Sequence, residues 1–163
     1  MVNPLFMTSE TLAYALLGSL AIALLFSVYS DIRYRLIYNK VTIAVALAAP
    51  AFWFATGSYT LTDVGMHLLV AAVAFIFFAI FFYFNMMGGG DVKLFAALAL
   101  WFHWIEVIRM IFVASLAGGA VTIIFLVIHK VKQKDGPVRI PYGVAIAVSG
   151  LWTVSERLFN HFG

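Results

Sequence analysis

The chain has 163 residues, 64% of them apolar and only 10% charged, with a formal net charge of +3. Soluble domains carry about 25% charged residues, so this composition excludes a soluble globular domain and calls for helices in a membrane. The lack of cysteine excludes a disulfide framework, a thiolate zinc site and a cysteine nucleophile. The basic residues lie in loops, where they report topology and not a nucleic-acid surface.

Apolar runs divide the chain into six predicted spans. No Lys or Arg precedes Arg33, so the positive n-region of a signal peptide is missing and residues 11–30 read as a retained first span. Residues 41–56 and 64–85 form spans two and three, and residues 92–105 span four. Spans five and six cover residues 107–128 and 141–158, with Pro141-Tyr142-Gly143 opening the last helix, where an early proline is natural. Spans two and four are short for a full crossing. The expected fold is all-α: a single polytopic membrane domain, residues 1–163, with about six transmembrane helices.

The charges orient this bundle. Arg33, Arg35 and Lys40 follow span one, Lys93 follows span three, and Lys130, Lys132, Lys134 and Arg139 follow span five. The opposite side has only Arg109 and Arg157, so the positive-inside rule places the three basic loops in the cytoplasm and both termini outside. Asp31 and Asp91 then share the cytoplasmic face, although neither entered the count.

Each aspartate has an ordinary alternative. Asp91 follows Gly88-Gly89-Gly90 and precedes an apolar run, as an N-cap does. Asp31 ends a helix, where the dipole disfavours it, and Arg33 or Arg35 offers a partner in a wet loop. Their shared face favours a functional pair. Two neighbouring carboxylates cannot both ionise cheaply, so they share a proton. The ionised one can deprotonate water while the protonated one donates to a peptide carbonyl, and the titration belongs to the pair. The three glycines allow close backbone approach or positive φ, and an extended glycine strand could pair with a substrate chain. Lys93 lies about 200° round a helix from Asp91, with snorkelling to the interface as its alternative role.

Gly88-Gly89-Gly90-Asp91-Val92-Lys93 matches the GxGD motif, extended by x-Lys, of the type IV prepilin peptidases. Asp31-Ile32-Arg33 with Ile37 and Asn39 resembles that family's first aspartate motif, and residues 140–147 (Ile-Pro-Tyr-Gly-Val-Ala-Ile-Ala) resemble its last-helix motif. Residues 94–102 are most similar to the short members that serve Flp-type (tight-adherence) pili. The resemblance spans nearly the whole chain in order and spacing.

It implies an aspartic membrane endopeptidase in the inner membrane that removes the basic leader from prepilins at the cytoplasmic face. Asp31 and Asp91 would be the catalytic pair, and Gly88, Gly89, Gly90 and Lys93 the active-site loop. Partners would be prepilins with a basic leader and an apolar helix, together with membrane lipids; no cofactor or metal is implied. Where the family has Ile-Pro-Asn, this chain has Ile37-Tyr38-Asn39. Larger relatives carry a paired-cysteine domain and methylate the new N-terminus. This chain has neither that insertion nor any cysteine, so no methyltransferase activity is expected.

Other features have plainer readings. His67, His103, His129 and His161 are scattered, without HExxH spacing, as core or interfacial histidines. Ser149-Gly150 lacks the preceding glycine of intramembrane serine proteases. Trp101, Trp104 and Tyr59 are expected as interfacial aromatics near the outer face, and Gly118-Gly119 as a close-packing site. The competing functions are an archaeal preflagellin peptidase, a small proton-coupled transporter and a structural scaffold. A transporter would place its acids in mid-span; here they sit at helix ends on one side.

Overall fold

Backbone polar groups in hydrocarbon must be satisfied within the chain, which leaves helices as the solution for a sequence this apolar. The computed structural model, described for residues 4–131 and 140–160, consists of α1 (Pro4–Tyr34), α2 (Asn39–Thr56), α3 (Leu61–Tyr83), α4 (Gly89–Ala99), α5 (Trp104–Val131) and α6 (Tyr142–Asn160). Ser9–Tyr34, Asn39–Thr56, Leu61–Tyr83 and Trp104–Val131 are long and apolar enough to cross a membrane. The chain is therefore a multi-pass membrane bundle. Lys132, Lys134, Arg139 and His161 lie outside the described residues.

The helix ends follow from local chemistry. Arg35 adopts φ 55° and donates its N–H to the Asp31 carbonyl at 3.0 Å, closing α1 in a left-handed cap. Gly57, at φ 77°, ends α2 in the same conformation. Thr60 caps α3, its Oγ1 accepting from the Asp63 N–H at 3.2 Å. At the start of α5 the His103 N–H donates to Glu106 Oε2 at 2.8 Å, and Arg157 of α6 grips the same carboxylate at 2.7 and 2.6 Å. That ion pair is the only one among the described residues.

α4 is the structural centre. It packs against α2, α3 and α6, with Leu94, Phe95, Leu98 and Ala99 fully buried and the Phe95 ring 4.3 Å from Phe78. The expected fourth span (residues 92–105) is corrected here. The helix has 11 residues; at a rise of about 1.5 Å per residue it is roughly 16 Å long, half a hydrocarbon core. It can stop among its neighbours because the Trp53 indole of α2 donates to the Leu100 carbonyl at 2.7 Å, satisfying an acceptor that would otherwise cost several kcal/mol in an apolar setting.

Trp101 is also corrected. It is not interfacial but buried, its ring tilted against Phe52 at 5.1 Å and donating to the Val45 carbonyl at 2.9 Å. Trp104 and Tyr59 are exposed. His67 is a core histidine stacked on Trp53. Gly118 packs against Ala145 and Tyr142 of α6, as expected of a close-packing glycine, while Gly119 faces open space. Ser149 is buried and donates to the Ile146 carbonyl at 2.8 Å, a hydroxyl satisfied within its own helix.

Candidate active site

Asp31 sits in the last turn of α1 and Asp91 in the first turn of α4, and both are buried. Asp91 does not occupy the N-cap. Gly88 does, and Asp91 stands three residues further on, its Oδ2 accepting the Gly88 N–H at 3.1 Å. This reach-back satisfies one of the orphan donors at a helix start and places a carboxylate at the positive end of the dipole. Burial first, and the nearby Asp31 charge second, push the Asp91 carboxyl up to about 7, against the pull of the Gly88 hydrogen bond. The two carboxylates are thus close enough for their charges to repel.

The glycine run works through space, not through unusual torsions. None of Gly88, Gly89 and Gly90 has positive φ, and Gly89 and Gly90 already belong to α4, so the run is not an extended strand. A Cβ on Gly88 would lie 2.9 Å from Asp91 Oδ2, one on Gly89 3.3 Å from the Phe82 ring, and one on Gly90 3.0 Å from Ile37 Cβ. Each missing methyl is replaced by a neighbour that fixes the start of α4.

Two residues without an assigned role in the sequence join these elements. Ile37, buried in the loop between α1 and α2, fills the space beside Gly90 and also meets Gly143 at the start of α6. A Cβ on Gly143 would come within 2.7 Å of Ile37 Cδ1 and 2.8 Å of Asp31 Oδ2. Glycine at 143 therefore lets the N-terminus of α6 close on Asp31, and the backbone N–H groups of Gly143 and Val144 face its carboxylate. The motif at residues 140–147 contained this glycine; its contact with Asp31 is a tertiary fact that spacing does not reveal. Tyr38, standing where the family has proline, caps α2 at φ −71°, within the range a proline ring imposes.

Among the described residues two buried side-chain atoms have no hydrogen-bond partner: Asp31 Oδ2 and Arg35 Nη1. Buried polar atoms are nearly always paired, so both atoms are exceptions to the usual rule. The Arg35 guanidinium lies over the Phe125 ring of α5, 4.6 Å from its centroid, and makes no ion pair with Asp31. Arg33 is exposed. The wet ion-pair reading of Asp31 is not what forms. Lys93 is turned away from this cluster: it is exposed, and its Nζ donates to Asn39 Oδ1 at 3.3 Å. A groove of about 350 Å³ between α3, α5 and α6 opens beside the site, lined by Phe81, Met87, Gly118, Thr122 and Tyr142 among others.

The type IV leader peptidase family matches residues 18–123, a stretch holding both aspartates and the glycine run. The chain belongs to this family. It is 27% identical over 147 residues to the prepilin leader peptidase/N-methyltransferase of Legionella pneumophila, an alignment that covers 83% of this chain. It covers 48% of that relative, so this leader-peptidase-family chain spans about half its length. No solved structure matches the chain. Gly143 and Val144 lie beyond the matched stretch and reach the site through the packing of α6 on α1. No cluster of three or more metal-ligating side chains occurs among the described residues.

Proposed function

We propose that this chain is an aspartic endopeptidase of the inner membrane that removes the leader from type IV prepilins, of the Flp type, at the cytoplasmic face. The observation that carries the reading is the buried pair itself, with Asp91 held at about 7 beside Asp31. At neutral pH such a pair retains one proton between two carboxyls. The ionised carboxylate takes a proton from water as its oxygen attacks the scissile carbonyl carbon, and the protonated carboxyl donates to the carbonyl oxygen. The resulting diol collapses: the C–N bond breaks, the amine leaves with the proton held by the first carboxyl, and the second carboxyl recovers its own from the diol. No covalent intermediate forms.

The basic residues Arg33, Arg35, Lys40 and Lys93 at the aspartate end support the cytoplasmic assignment. The apolar groove beside Gly88 and Gly143 supports a bed for the substrate's hydrophobic helix.

Detergent-purified protein mixed with a Flp-type prepilin tests the proposal, with leader removal read by mass. Wild type cleaves, and Asp31→Asn and Asp91→Asn each abolish cleavage. Cleavage that survives both substitutions removes the aspartic mechanism, and inactive wild type with a well-folded bundle points to transport or scaffolding instead.

A further inference from the structure

α2 and α3 both pack on α4 and meet one another at the Trp53–His67 stack. Between them lies a second groove, on a different side of α4 from the one beside the aspartates. Its volume is about 500 Å³, within the range of about 300–1,000 Å³ typical of sites for small molecules. Its walls are apolar at Ala46, Phe75 and Leu100, and its polar groups gather at one end: Asn39, Thr42 and Lys93. Thr42 is occupied, its hydroxyl donating to the Tyr38 carbonyl.

Lys93 is not neutralised. An ammonium carries three donors, and here one reaches a neutral amide at 3.3 Å. No carboxylate among the described residues pairs with it. Lys40 is also exposed and adjoins Asn39, while the two described acids of this end, Asp31 and Asp91, are buried. The mouth of the groove therefore presents uncompensated positive charge at the membrane boundary, above a slot lined with hydrocarbon. One ligand class meets both demands.

We propose that the α2–α3 groove is a binding site for a single anionic glycerophospholipid, its phosphate at Lys93 and Lys40 and one acyl chain lying over Ala96 towards Leu100. The apolar slot selects for a chain, and the two cations select an anionic headgroup over a zwitterionic one. This site is separate from the aspartate pair and does not depend on the proposed peptidase activity. It also gives Lys93 a role its orientation allows.

Native mass spectrometry of the purified protein, after exchange into micelles with equal phosphatidylglycerol and phosphatidylcholine, tests the proposal. One phosphatidylglycerol per chain is expected to be retained in preference to phosphatidylcholine. Lys93→Gln should reduce that preference by about fivefold, the effect of one surface cation. Ala96→Phe, which fills the slot from the half-buried face of α4, should remove the retained lipid whatever its headgroup. Inorganic phosphate or glycerol phosphate should not displace it. Equal retention of both lipids, retention unchanged by Ala96→Phe, or displacement by free phosphate would each overturn the proposal.

Discussion

Replacing Asp91 by asparagine measures what the fold sacrifices to hold a carboxyl there. The Asp91 carboxyl titrates at about 7 against an ordinary value of 3.8. One pKa unit corresponds to about 1.4 kcal/mol, so the difference amounts to about 4 kcal/mol. The sign follows from proton uptake. The folded state holds its proton more tightly than the unfolded chain, so this stabilising contribution is complete below about pH 4, declines as pH rises, and is gone above about pH 7. Asparagine keeps an oxygen for the Gly88 N–H and never ionises. At about pH 8 the variant should therefore unfold with more difficulty than wild type, by up to about 4 kcal/mol, and the gap should shrink towards about pH 4. Denaturant unfolding in detergent micelles across that range reads the difference. Wild-type stability that stays level across it, with the variant no more stable at the alkaline end, would refute the reasoning.

Gly143→Ala forces a methyl within 2.7 Å of Ile37 Cδ1 and 2.8 Å of Asp31 Oδ2; it should destabilise by about 1–3 kcal/mol and stop cleavage. Adding Ile37→Val removes the first clash alone, so unfolding measurements should show stability recovering while the mass assay still shows no leader removal. Tyr38→Pro should be tolerated to within about 1 kcal/mol with cleavage retained, because φ is already −71°; a large loss would show that the tyrosine ring, 6.1 Å from Phe26, matters more than the torsion. Arg157→Ala leaves Glu106 without its bidentate partner and should cost about 2 kcal/mol, less than the roughly 3–5 kcal/mol of a fully buried pair, since both side chains keep some exposure. Cleavage by the folded fraction should be unaffected.

Hydropathy locates α1, α2, α3 and α5 because lipid demands long apolar runs, and charge asymmetry brings Asp31 and Asp91 to one end without any coordinates. What was not legible depends on side chains from distant segments. Residues 92–105 look like one short span because apolarity continues through Trp101 and Phe102; only the Trp53 indole at Leu100 shows where the helix is free to stop. Trp101 looks interfacial because aromatic position along a span says nothing about neighbours, and α2 covers it. The glycine run is legible as a requirement for small residues, but its reason is not. Positive φ and close approach predict the same letters, and only the positions of Phe82, Ile37 and the Asp91 carboxylate decide between them. Ile37 is legible as part of the first aspartate motif, but its packing between Gly90 and Gly143 is not, because an aliphatic side chain names no partner.

The contact of Ile37 with both Gly90 and Gly143 has a consequence in time. One side chain between α1 and α2 is gripped by the start of α4 and by the start of α6, so the pocket around it has no complete wall until the sixth helix docks on α1 and α5. Synthesis delivers α6 after α1, α2 and α4. Until then the chain holds both carboxylates without the Gly143 and Val144 backbone that faces Asp31.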